Sequence, residues 1–186
     1  MSLIAEVKKS NQTEKRIYYI FLLAFGIILN VLESFIPKPF PWFRIGLSKI
    51  ALLLVVYSFN WKKILLFPFL RVTISFIITG LILTPIYLWS LIGSLISAIV
   101  MKIFITFFRN FFSMYGISIA GAMVNNFTQW FFIINIFNFH YGFILPYLLI
   151  QALVGGLITA YFALAIDKGY KRNIRKKLTK ENKELK

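Results

Sequence analysis

The chain of 186 residues is 59% hydrophobic, has a mean hydropathy of +0.78 and carries a formal net charge of +15. A soluble domain of this length has too little interior to bury so much apolar surface, whereas membrane helices satisfy their own backbone and face lipid. Composition therefore excludes an ordinary soluble fold, and the lack of cysteine excludes disulfides and thiolate chemistry.

The positive charge is concentrated at the two ends of the chain. Nine of the 21 basic residues fall within 168–186, and four more within 8–16. Such tails are typical of segments next to a membrane, where each basic residue gains about 1 kcal/mol from anionic lipid. Membrane lipid is therefore a predicted partner. No recognition motif of aromatic and basic residues accompanies the charge, so nucleic acid is not a predicted partner.

The hydrophobic runs predict an all-α, multi-pass protein of the cell membrane with an S-component-like bundle of six transmembrane helices. We predict a cytoplasmic tail over residues 1–16, a transmembrane domain over 17–166 and a basic cytoplasmic tail over 167–186. The helices are predicted at about 17–36, 45–59, 64–83, 86–107, 117–137 and 143–166, with Pro68 and Gly80 interrupting the third. Basic residues in the tails and in two loops on the same side predict an N-in, C-in orientation.

The first predicted hairpin places charges inside apolar runs. Glu33 lies four residues before Pro37, and Lys49 lies at a similar depth in the second helix, about 6 Å from the outer end. An ion pair between them would offset a cost of about 2.5–3.5 kcal/mol for each charge in the membrane. Alternatively, Lys49 snorkels outward and Glu33 is interfacial. Asn30 shares a face with Glu33, which favours a polar pocket open to the outside.

A second group of polar residues lies deeper. Arg71 is about 10 Å from the start of the third helix, and Asn125 and Asn126 lie at a similar depth in the fifth. Gln129 shares a face with Asn125, and Gln151 of the sixth helix reaches the same depth. A guanidinium among amides suits an anionic or carbonyl-bearing ligand. The alternative is that these side chains only join the helices to one another.

Motifs for catalysis are missing from the sequence. It contains no GxxxxGK[ST] phosphate-binding loop, no HExxH, and no pair of carboxylates spaced to hold Mg²⁺. The only histidine, His140, lies in a predicted loop. We therefore predict no catalytic residue, no metal site and no cofactor.

Several short motifs, in this order and spacing, resemble the Gx transporter family, which is also labelled heptaprenyl diphosphate synthase component I. They are Glu33, Ser34 and Pro37, then Gly46 to Ser48, then Leu70 to Val72, then Gly116 to Ala122 followed by Asn126 and Gln129. That family is similar to the substrate-binding S components of energy-coupling factor transporters. The resemblance implies six helices, a ligand pocket near the outer face, and a partner module of a transmembrane coupling protein and ATPases.

The resemblance also shows two departures. The family usually has His-Asn where this chain has Asn125-Asn126, and Lys49 replaces a more usual amide. Our first hypothesis is a binding protein for uptake of a small hydrophobic or amphipathic molecule. The alternative is a noncatalytic membrane subunit of a heptaprenyl or polyprenyl diphosphate synthase, whose soluble partner supplies the aspartate-rich Mg²⁺ motifs. A third reading is a membrane scaffold.

Overall fold

The computed structural model describes residues 12–35, 46–108, 111–137 and 144–184, and all the regular structure within them is α-helical. This confirms the predicted all-α class. The helices are α1 (Gln12–Phe35), α2 (Lys49–Ser58), α3 (Trp61–Ile78), α4 (Pro85–Phe107), α5 (Met114–Phe137) and α6 (Ile144–Glu184). Most of the predicted first loop lies outside the described residues.

The third helix differs from its prediction at both proline and glycine. Pro68 lies inside α3, so the predicted interruption there is wrong. Proline removes one helix hydrogen bond, but in membrane bundles neighbouring groups satisfy the freed carbonyl. The helix ends at Ile78, five residues early, because Gly80 takes a left-handed backbone with φ +72° that is costly for other residues.

The last helix is much longer than predicted. It continues through the basic segment to Glu184, giving 41 residues rather than an end at residue 166. The Lys, Arg and Glu residues that dominate this segment have high helix propensity, which explains the continuation. The first helix likewise begins at Gln12, inside the predicted N-terminal tail.

Within the described ranges, three helices are long and apolar enough to cross a membrane: Gln12–Phe35, Pro85–Phe107 and residues Leu145–Lys168 of α6. They indicate association with a membrane. The ten residues of α2 span about 15 Å, half of the roughly 30 Å hydrocarbon core. Six spans and the N-in, C-in orientation therefore stay predictions.

Helix α2 forms the centre of the fold. Its residues 50–56 are at most 5% exposed, and it packs against α1, α3, α4 and α6. The sequence IALLLVV is apolar on every side, as expected for a helix surrounded by other helices. Leu22, Phe67 and Met101 complete this core from three neighbours. The C-terminal end of α2 contacts Lys102 of α4, and its N-terminal end borders a polar pocket.

At its C-terminal end, α2 is held by a lysine from α4. Lys102 Nζ donates to the carbonyl oxygens of Val56 at 3.4 Å and Phe59 at 3.2 Å. The last carbonyls of a helix lack partners within the helix, and a cation there also meets the negative end of the helix dipole. Lys102 is thus an anchor for the end of α2 that is remote from Lys49.

We expect Lys102→Gln to lower the free energy of unfolding by about 1–2 kcal/mol, because both carbonyls lose a charged donor. Thermal unfolding of the detergent-purified protein measures this. The control is Lys62→Gln, which removes an exposed lysine. Equal stability of the two variants would contradict the anchoring role.

Candidate functional site

A polar pocket lies where α1 ends and α2 and α4 begin. The lining residues that the structure describes are all polar or glycine: Asn30, Glu33, Gly46, Ser48, Lys49, Arg71, Ser90, Ser94, Asn125 and Gln129. The cavity has a volume of about 20 Å³, counted as the positions that the centre of a water molecule can occupy. The total empty space around it, including the part that opens to solvent, is about 300 Å³. A single water needs about 10–15 Å³ by the first measure, so the pocket accommodates a very small group.

Arg71 lies in the wall of this pocket and is 4% exposed. Its Nη1 donates to Ser48 Oγ at 3.0 Å, and its Nη2 donates to Ser94 Oγ at 2.6 Å. These bonds join α3 to the start of α2 and to α4. The stem of Arg71 passes Gly26 of α1, where a Cβ atom would lie 3.2 Å from Arg71 Cδ. The guanidinium is therefore fixed by two neutral hydroxyls and by close packing.

Glu33 and Lys49 lie in the same pocket beside Gly46. The Oε1 atom of Glu33, a residue 2% exposed, accepts a hydrogen bond from the Gly46 N–H at 2.7 Å. Gly46 has φ +86°, and a Cβ there would lie 3.3 Å from Lys49 Cδ and 3.5 Å from its Nζ. Both the backbone conformation and the space favour glycine. The predicted ion pair between Glu33 and Lys49 stays a prediction.

Two amide side chains of the lining, those of Asn30 and Gln129, form no hydrogen bond with another described residue. Asn30 is 5% exposed and Gln129 is 4% exposed. Each amide offers two N–H donors and a carbonyl acceptor. Buried polar groups in folded proteins almost always have partners. The polar atoms of these two amides therefore face the space of the pocket, where they can bond water or a bound group.

Asn125 completes the wall from α5. Its Nδ2 donates to Asn126 Oδ1 at 3.4 Å. Gly93 of α4 faces it closely, since a Cβ at this glycine would lie 3.1 Å from Asn125 Oδ1. The small residue allows α4 and α5 to approach so that Asn125 reaches the pocket.

The structure brings together six of the eight predicted site residues, namely Asn30, Glu33, Lys49, Arg71, Asn125 and Gln129. That they bind a ligand stays a prediction. Asn126 and Gln151 are not lining residues. Instead, Asn126 Nδ2 donates to the Leu148 carbonyl of α6 at 2.9 Å, which is the role of joining helices that the alternative reading gave it.

Sequence reasoning missed Ser48, Ser90 and Ser94 as part of the site. Ser90 and Ser94 are small and uncharged, so the sequence does not distinguish a place in the site from close packing of helices. Their spacing of four residues puts both on one side of α4. This spacing, and for Ser48 its place in the family motif of Gly46 to Ser48, are the signals that the sequence offered.

Replacing the two neighbouring asparagines by alanine should have different effects. We expect Asn126→Ala to destabilise the fold by about 0.6–1.7 kcal/mol, because it removes a bond between helices. Asn125→Ala should weaken ligand binding more than stability. Thermal unfolding with and without a bound ligand separates the two effects. Equal losses of stability for both variants would contradict this division.

The sequence profile of a family described as heptaprenyl diphosphate synthase component I matches residues 22–166, which is 145 of the 186 residues. The chain belongs to this family. The predicted family is thereby confirmed, and the matched range contains every residue of the pocket. No curated protein and no solved structure is a significant match.

The pocket of this heptaprenyl diphosphate synthase component I family member is suited to an anion. Lys49 and Arg71 are formally positive and Glu33 formally negative, so the described part of the lining has a formal net charge of +1. Arginine presents a planar set of donors that matches carboxylate or phosphate oxygens. The described residues contain no cluster of three His, Cys, Asp or Glu side chains. The described lining therefore offers two cations, one carboxylate, hydroxyls and amides.

Proposed function

We propose that this chain is an integral membrane binding protein for uptake of a small amphipathic molecule, whose anionic or carbonyl group is held by Arg71. The observation that carries the proposal is the polar pocket itself. It combines a buried guanidinium with the buried amides of Asn30 and Gln129, which hydrogen-bond no other described residue.

The polar lining argues against a purely structural role. Polar side chains inside a membrane protein are expensive, and they stabilise helix packing only when they bond to each other. Asn126 does this through its bond to the Leu148 carbonyl. Asn30 and Gln129 do not bond to any other described residue. They face the pocket instead, which supports a role in binding rather than in packing.

The small size of the pocket limits what it holds. Its space of about 20 Å³ fits a compact polar group and not a whole isoprenoid or ring. The apolar part of an amphipathic ligand would lie outside this pocket. Aromatic and aliphatic side chains exposed on the described helices, such as Phe35 and Leu32 of α1, offer apolar surface nearby.

Uptake requires an energy source, and this proposal assigns it to a partner. By the S-component resemblance, the partner is a module of a transmembrane coupling protein and ATPases. The N-in, C-in topology would open the pocket to the outside, where a substrate is captured. Reporter fusions at both termini and within residues 36–45 test that orientation.

The second candidate is the noncatalytic component I of a heptaprenyl diphosphate synthase. The family description favours it and implies a second component, which would be the catalytic synthase subunit. In this role, the membrane chain would hold or deliver a lipid product. The Arg71 pocket would then contact the product's polar end.

Co-purification from the native membrane, combined with native mass spectrometry, tests both candidates. An ATPase-containing complex with a retained small molecule supports uptake. A soluble aspartate-rich synthase in the complex supports component I. If no small molecule is retained and Arg71→Gln leaves uptake in cells intact, the proposed binding function is wrong.

A further inference from the structure

We propose that the pocket selects a compact monoanionic group such as a carboxylate, and discriminates against phosphate and diphosphate groups. This inference rests on the proposed binding function and specifies the chemical class of the ligand. Three observations carry it: the net charge of the lining, the arrangement of hydrogen-bond donors around Arg71, and the size of the space.

The charge balance favours a single negative charge. With Lys49, Arg71 and Glu33 in the wall, the described lining has a formal net charge of +1, which a carboxylate neutralises. A phosphate monoester carries about −1.5 to −2 at neutral pH and would leave surplus negative charge beside Glu33. A diphosphate carries still more. An uncompensated buried charge is costly, so the pocket penalises both groups.

The donors around Arg71 suit the oxygens of a carboxylate. Ser48 and Ser94 accept hydrogen bonds from the guanidinium, and within the described part of the chain neither hydroxyl donates to another residue. Each O–H is therefore available to a ligand oxygen beside a fixed cation. The N–H groups of Asn30 and Gln129 add neutral donors without adding charge.

The space is also too small for the larger groups. The cavity volume of about 20 Å³, counted as positions for the centre of a water molecule, is close to the volume that one water needs by the same measure. A carboxylate is planar and adds only two oxygens to its carbon. A diphosphate brings two tetrahedral phosphorus centres, and binding it would require the helices around Arg71 to separate.

The test uses probes that share one ten-carbon isoprenoid tail and differ only in the head group. Geranic acid, geranyl monophosphate, geranyl diphosphate and geraniol are titrated into the full chain in lipid nanodiscs by calorimetry. We expect geranic acid to bind at least about tenfold more tightly than the other three. Arg71→Gln should weaken geranic acid about 10- to 100-fold, whereas Lys102→Gln, at the other end of α2, should change it less than about twofold.

A charge variant separates charge selection from size selection. Glu33→Gln raises the net charge of the lining to +2, so we expect it to improve geranyl monophosphate relative to geranic acid by about tenfold. An unchanged ratio, or Arg71-dependent binding of geranyl diphosphate as tight as that of geranic acid, would overturn this inference while leaving the proposed binding function standing. If no probe binds in an Arg71-dependent way, both this inference and the proposed binding function are wrong.

Discussion

Arg71→Gln is expected to weaken ligand binding about 10- to 100-fold while the helical bundle still forms. The substitution takes away the charge and the two hydrogen bonds to Ser48 and Ser94, at 3.0 and 2.6 Å. Hydrogen bonds to charged groups contribute about 1.5–3 kcal/mol each, so loss of the guanidinium contact should weaken binding about 10- to 100-fold. Retention of the co-purified molecule, measured by native mass spectrometry, and uptake by cells are the two readouts.

The matched control is Lys102→Gln, which removes another cation from within the helical bundle but lies outside the pocket. It should cost stability and leave ligand retention intact. Arg71→Lys tests geometry, because it keeps the charge but loses the planar set of donors, and we expect binding between that of the native chain and Arg71→Gln. If Arg71→Gln and Lys102→Gln lower stability equally and neither affects retention, the scaffold reading replaces the pocket.

The sequence was informative about the site because charges in apolar helices are costly. Arg71 and Glu33 each needed polar surroundings, and that need alone predicted a pocket. The same reasoning placed both in one pocket, with Glu33 and Lys49 at its outer end and Arg71 deeper. The rise per residue gives a depth along each helix, but not which helices are neighbours or how each is rotated. The structure places Glu33, Lys49 and Arg71 in one pocket.

Helix rotation also explains the asparagines. Asn125 and Asn126 are adjacent in sequence, so their side chains point about 100° apart around α5. One reaches the pocket and the other reaches α6. The sequence shows two amides at one depth, and only the direction in which α5 faces α4 and α6 assigns their roles. The sequence also did not predict that α2 lies at the centre of the fold. A helix that is apolar on every side is expected both where it faces lipid and where it is surrounded by other helices.

Gly156→Ala should be among the most destabilising single-methyl changes in the described bundle. A Cβ at this position of α6 would lie 2.8 Å from Ile119 Cα and 3.1 Å from Ile119 N on α5. Backbone atoms, unlike side chains, cannot relieve the overlap by a change of rotamer, so the two helices must separate. The separation would also lengthen the bond of 2.8 Å from Ser118 Oγ to the Gly156 carbonyl. Overpacking of this kind costs about 1–3 kcal/mol, which thermal unfolding in detergent measures.

Gly121→Ala is the matched control, because the two glycines have the same local arrangement. The Gly121 carbonyl of α5 accepts from Ser97 Oγ of α4 at 2.7 Å, as the Gly156 carbonyl accepts from Ser118. The three atoms nearest to a Cβ at Gly121, however, all belong to the side chain of Met101, with Cγ at 2.6 Å and Sδ at 2.9 Å. Met101 is fully buried, so we expect Gly121→Ala to cost about 1–3 kcal/mol in the native chain but much less in a Met101→Ala background, because there the obstructing side chain is gone. A larger loss for Gly121→Ala than for Gly156→Ala would show that side-chain packing between α4 and α5, rather than backbone contact between α5 and α6, limits stability.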